Sequence, residues 1–311
     1  MRVSRTVVWL AALVAVLALV VAGIGLFWQD GAGAFTFTTV RGESVEVYGR
    51  GVYRYDSLFA GAGHRGTDLV SLVLGIPLLV LATLLYRRGS IRGGLLLSGA
   101  LTYFLYVYAT LSLGVAYNDL FIGYVAIFSA SLFAFVLSFR AIQPLGSRFS
   151  ERLPRRGIAA FLFAAGLLTL AVWLEAPVRS LLGREPPTLL AGYTTLVTHA
   201  LDLAIIVPAV FLAGVLLLRR DARGYLIAFP LLVLIVMLVP VITAQTVSQL
   251  RAGISLTAAE VIGPIGGFLV LGTIAMWIVA RLLLDVGRPA AEQPATMPGR
   301  PRKQRVRVGS A

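Results

Sequence analysis

The chain has no cysteine, only two histidines and few charges, and each scarcity excludes something. Without cysteine there can be no disulfide framework, no thiolate metal site and no thiol nucleophile. Charged residues make up 13% of the 311 positions while hydrophobic ones make up 58%, a balance far from that of soluble domains. A soluble fold of this length could not cover so much apolar surface. Nucleotide and hydrolase signatures are missing too: there is no P-loop, dinucleotide fingerprint, HExxH or nucleophile elbow.

What is present is a series of long apolar runs. Eight of them, at 7–28, 69–86, 93–113, 120–139, 158–174, 195–218, 225–244 and 261–280, are long enough to cross a hydrocarbon core, which takes roughly 20 helical residues. Backbone groups in lipid must be satisfied within their own segment, so each run is expected to be a helix. The first run follows Arg2 and Arg5, and AGA at 32–34 offers a small-residue cleavage site. Its apolar core exceeds the usual ~7–15 residues of a secretory signal, so it reads as a retained helix. Cleavage would leave seven helices and the same remaining topology.

The net charge of +13 sorts by side. Threading eight helices from an inside N-terminus places 20 of the 27 basic residues on one face, with only 4 of the 14 acidic ones. That is the positive-inside pattern, carried by YRRGSIRG, RLPRRG and LRRDARG. It puts both termini in the cytoplasm, implies a multi-pass protein of a bacterial inner membrane, and explains the basic character without a nucleic-acid partner. The bilayer is the expected partner. Residues 29–67 then face outward, where AFTFTTV and SVEVY alternate around RGE and predict a β-hairpin resting on the outer helix ends. Residues 287–311 read as a disordered basic tail, whose RPRKQRVR is suited to anionic lipid headgroups.

The chain also reads as written twice. Asp68 precedes a run that ends in Arg87-Arg88, and Asp202 precedes one that ends in Arg219-Arg220. Pro77 and Pro208 lie at similar distances before those pairs, and Asp119 to Arg140 matches Glu260 to Arg281. The expected architecture is therefore all-α: two parallel four-helix repeats, 1–156 and 157–286, with the hairpin between the first two helices. Parallel repeats are related by an axis along the membrane normal. That symmetry pairs Asp68 with Asp202 and Asp119 with Glu260.

Three groups of residues carry candidate chemistry. His64, Asp68, His199 and Asp202 suit a divalent metal or a proton relay, since the three- and four-residue spacings share a helix face. Against that, Asp at a helix start serves as a cap. Tyr103 and Tyr106, with Thr110, share a face of the third helix and could line a polar cavity or hold helices together. Gln245 and Gln249 end the seventh helix, and Glu260 opens the eighth ahead of Gly263, Pro264, Gly266 and Gly267, a pattern that suits either local unwinding at a substrate site or close helix contact through small residues. No organic cofactor is implied.

The run from 48 to 137, with GTDLV, YRRGS, YFLYVYA and YNDLF as its recognisable parts, resembles bacterial polytopic membrane proteins of unknown function. The resemblance implies a membrane bundle and transfers no catalytic or binding residue. Three functions remain open on the sequence. They are a transporter or channel for a small solute or ion, a membrane enzyme with a His/Asp site at the outer face, and an accessory or sensor subunit of a membrane complex.

Overall fold

The computed structural model describes residues 3–144, 149–150 and 152–286. Its frame is eight apolar helices, each long enough to span a membrane: α1 Arg5–Phe27, α2 Leu58–Arg87, α3 Ile91–Gly114, α4 Phe121–Ile142, α5 Arg155–Gly183, α6 Val197–Leu218, α7 Arg223–Arg251 and α8 Ala258–Val286. All eight expected spans are there. The basic tail expected at 287–311 lies outside the described residues.

Burial sorts the helices into centre and periphery. In α3 and α7, 78% and 56% of the most apolar window is buried, against 28–33% in the other six. These two pack on each other at the centre, α2 packs on α3 and α7, and α6 packs on α3 and α7. α4 packs on α3 and α1, α5 on α6 and α8 on α7. Close approach depends on missing side chains. A Cβ on Gly66 of α2 would stand 2.5 Å from the Ala244 carbonyl carbon of α7, and one on Gly99 of α3 would stand 2.7 Å from Val233. Small residues give such contacts their tightness in a membrane, where lipid offers helices no hydrophobic reason to associate.

One end of the bundle carries the hairpin. Strands β1 Phe35–Thr38 and β2 Ser44–Val47 pair antiparallel, with Phe37 opposite Val45. Tyr48, Val52 and Tyr53, which follow the hairpin, form a small apolar cluster with Ala62, Ala252 and Ile254. The opposite end carries the arginine-rich turns. It is tied by Ser4 N–H donating to the Tyr86 hydroxyl (3.0 Å), Arg92 to the Leu283 carbonyl (2.8 Å) and Ser150 N–H to Asp285 (2.7 Å).

Two expectations about helix ends are corrected. α2 begins at Leu58, capped by Ser57, about three turns before the apolar run. Its first turns, LFAGAGHRGT, are poor in hydropathy because they face protein rather than lipid. Asp68 is therefore well inside a helix and caps nothing. α8 is helical throughout, so of the two readings near Glu260 the local unwinding does not occur. Glu260 closes a capping box instead: its carboxylate accepts from Thr257 N–H (2.8 Å), and the Thr257 hydroxyl accepts from Glu260 N–H (3.3 Å).

The helical irregularities lie elsewhere. α2 contains a π turn at Ser71–Gly75 and α6 one at Asp202–Ile206, with Pro77 and Pro208 just beyond. Proline supplies no backbone N–H, so the ladder is already interrupted there, and a widened turn relieves the crowding.

Candidate functional site

Asp68 stands about 15 Å along α2 from Leu58, and its side chain is buried among α1, α3, α4 and the short 3-10 turn Gly51–Tyr53. Its Oδ2 accepts from the Tyr53 hydroxyl at 2.8 Å. On α1, Gly25 leaves the space that the carboxylate occupies: a Cβ there would overlap Oδ2 and stand 2.9 Å from the carboxyl carbon. Tyr103, Tyr108 and Tyr124, all fully buried, lie within electrostatic reach of Asp68. The Tyr108 hydroxyl has no hydrogen-bond partner. Arg65 is the nearest basic group but is engaged elsewhere, donating to Tyr48 (3.2 Å) and to the Leu26 carbonyl (3.0 Å). Asp68 has no ion-pair partner among the described residues.

Asp202 is the first residue of the π turn in α6 and is also buried. The Tyr106 hydroxyl of α3 donates to it at 3.2 Å, and Trp173 of α5 lies close by. Tyr103, one turn away, shares a 2.9 Å hydrogen bond with Ser71, the first residue of the π turn in α2. The two tyrosines thus reach in different directions from the central helix, each to the start of a π turn. They tie helices together instead of lining one cavity.

The remaining candidates separate. The His64 ring lies 5.2 Å from that of Tyr53, and His199 lies 4.3 Å from the ring of Trp173 on α5. The four residues considered as a metal set are thus split between two places, and no group of three or more His, Asp or Glu able to hold a metal occurs among the described residues. Asp119 is exposed ahead of α4 and Glu260 is exposed at the start of α8. Gln245 donates to the Thr67 hydroxyl (2.9 Å) and Gln249 to the Phe59 carbonyl (3.2 Å), so both stitch α7 to α2.

A buried carboxyl at the hairpin end was missed by sequence reasoning. Asp56, between the 3-10 turn and α2, is fully buried at the hairpin end. Its Oδ1 accepts from Ala116 N–H (2.9 Å) and from the Tyr193 hydroxyl (2.7 Å), while Oδ2 has no partner. Burial pushes Asp56 up to about 6, although the bonds from Ala116 and Tyr193 act the other way. Burial and the adjacent carboxylate also push the Tyr193 phenol up. The partners are 137 residues apart, and no spacing announces them. Beside this latch, a cavity of about 260 Å³ opens between Phe37 and Val45 of the hairpin, Leu113 of α3, and Tyr193 to Thr195; no charged side chain lines it.

Fold and site together define a polytopic, eight-helix membrane protein with carboxyls buried inside the bundle. The chain matches no protein-family model, no curated protein and no solved structure.

Proposed function

We propose that the protein is a transporter or channel for a small solute or ion in a bacterial inner membrane, with both termini cytoplasmic and the hairpin outside. The observation that carries this reading is the pair of buried carboxyls, Asp68 and Asp202, each bonded by a tyrosine hydroxyl and without an ion pair among the described residues. Ionisable groups inside membrane helices are expensive to keep, and those that persist mark ion, proton or substrate paths. The π turns support the same reading, since such irregularities favour functional positions and give a helix a place to bend. The uncharged cavity at the hairpin end is the natural mouth.

A duplicated origin, with halves at 1–156 and 157–286, accords with the matching π turns and with the packing of α2 on α7 and of α6 on α3. The second reading, an accessory or sensor subunit, draws on the hairpin, whose Phe35 and Phe37 remain half exposed.

The test is flux in proteoliposomes bearing the full chain, challenged with labelled small cations, anions and neutral solutes under imposed pH and sodium gradients. The Asp68→Asn/Asp202→Asn double variant, still monodisperse on gel filtration, should lose whatever flux the wild type supports. Flux unchanged in that variant removes the carboxyls from the path. Wild-type vesicles tight to every probe class overturn transport and favour the accessory reading.

A further inference from the structure

The surroundings of Asp68 say more than that it is buried. We infer that Asp68 is a proton-exchange site open to the hairpin side alone, reached through the hydroxyls of Tyr53 and Tyr124 and closed towards the arginine-rich side by an apolar plug. The inference rests on the reading of Asp68 as a transport residue and names the ion that it handles.

Three observations carry it. The first is fit. Oδ2 is held against the backbone of α1 at Gly25 and against the Tyr53 hydroxyl, with buried tyrosines around it. A metal ion or hydrated cation needs several oxygen ligands and room for them. A proton needs only the carboxyl and a neighbouring hydroxyl.

The second is continuity. From Asp68 the polar groups lead towards the hairpin end: Tyr53 donates to Asp68, Tyr124 lies within electrostatic reach of both, and Asn118 Nδ2 donates to Tyr124 (3.5 Å) and to the Ala116 carbonyl (3.3 Å). Ala116 N–H in turn meets Asp56. Tyr108, buried with an unpartnered hydroxyl beside this path, supplies a further donor and acceptor.

The third is closure. Beyond Ser71 and Tyr103, towards the arginine-rich end, Leu79 and Ala82 of α2 and Leu97 and Leu101 of α3 are fully buried in the apolar core. The hydroxyls of Thr83, Ser98 and Thr102 there are each turned back onto a carbonyl of their own helix. Nothing polar carries the path onward among the described residues.

The titratable and charged groups around Asp68 are few. α2 itself contributes His64 and Arg65, the 3-10 turn Tyr53, α3 Tyr103 and Tyr108, and α4 Tyr124. α1 presents only Gly25, and α7 presents the neutral Gln245 one residue away at Thr67. Proton transfer balances simply: the carboxyl O–H breaks as a hydroxyl oxygen accepts, that hydroxyl passes its own proton on, and reorientation of the phenols restores the chain.

The experiment is infrared difference spectroscopy on sealed proteoliposomes whose orientation is set by protease access to the hairpin. The carboxylic C=O band absent from Asp68→Asn is assigned to Asp68. It should rise and fall with the pH on the hairpin side and ignore the pH on the other. In Tyr53→Phe the band should remain but respond at least tenfold more slowly. A band that follows the arginine side, or one that never changes while the protein stays folded, overturns the inference, as does Tyr53→Phe exchange at the wild-type rate. The readout does not depend on flux, so a failed transport assay and a failed proton site remain distinguishable.

Discussion

Replacing Asp56 with Asn tests the electrostatics of the hairpin latch. The carboxyl is fully buried and titrates at about 6 in place of the usual 3.8. That difference is worth roughly 3 kcal/mol between the two protonation states. The sign follows from linkage: a carboxyl raised in the folded state holds its proton more tightly there than in the unfolded chain. Its stabilising contribution is complete below 3.8 and is lost as the pH rises through about 6. Above that, the latch contains an ionised carboxylate with Oδ2 unpartnered. Asparagine keeps an acceptor for Ala116 and Tyr193 and never ionises, although its amide nitrogen inherits the empty position. Thermal unfolding of both proteins in detergent, at about pH 4 and about pH 8, should therefore show the gap between them moving by up to ~3 kcal/mol in favour of the variant at the higher pH. For a chain of this size that is several degrees in midpoint. The comparison is internal, so any constant cost of the amide cancels. A gap that stays the same at both pH values would refute the argument, because it would mean that Asp56 does not titrate differently in the folded protein.

Two other expectations concern packing. Gly25→Ala places a Cβ on top of Asp68 Oδ2, so the carboxyl or α1 must move, and a loss of ~1–3 kcal/mol in unfolding experiments is expected; Gly263→Ala, which meets nothing within 4 Å, should be neutral or stabilising by up to ~1 kcal/mol. Tyr106→Phe removes the hydroxyl that donates to Asp202 and should cost ~1–3 kcal/mol, most of it recovered in the Tyr106→Phe/Asp202→Leu double variant if the cost comes from the under-bonded carboxyl.

The spans were legible because a membrane helix is announced by a continuous run, which any window detects. The start of α2 was hidden for the converse reason. His64, Arg65, Gly66 and Thr67 contribute no apolar signal, yet they are helical because the bundle, not lipid, surrounds them. Asp68 accordingly looks like a cap at a helix end. Gly263, Pro264, Gly266 and Gly267 mislead in the other direction. They look like a break, but α8 continues through them, with Pro264 inside the helix and open space around the glycines. The significance of Tyr103 and Tyr106 was half visible: their shared face could be read from spacing, but not that one turns to α2 and the other to α6. Asp56 and Tyr193 were not legible at all, since only folding brings them together.

Under the proposed duplication, the prolines set a register between the two halves different from that of the acids. Matching the acids pairs Asp68 with Asp202. Matching Pro77 with Pro208, and with them the π turns, pairs Ser71 with Asp202 and Asp68 with His199. The backbone device is then common to both halves, and so is its tether, a tyrosine of α3 bonded to the first residue of the turn. The side chains differ. In α2 the tethered residue is a serine and the carboxyl lies about one helical turn closer to the hairpin, against Tyr53; in α6 the tethered residue is itself the carboxyl. Asp68 therefore keeps its contact with the hairpin-side hydroxyls whatever α2 does at Ser71, whereas Asp202 cannot move without loosening its bond to the central helix. On this register, the two carboxyls are not symmetry copies with a common role. Under the proposed proton exchange at Asp68, Asp202 shares the transport path as the carboxyl that ties the π turn of α6 to α3.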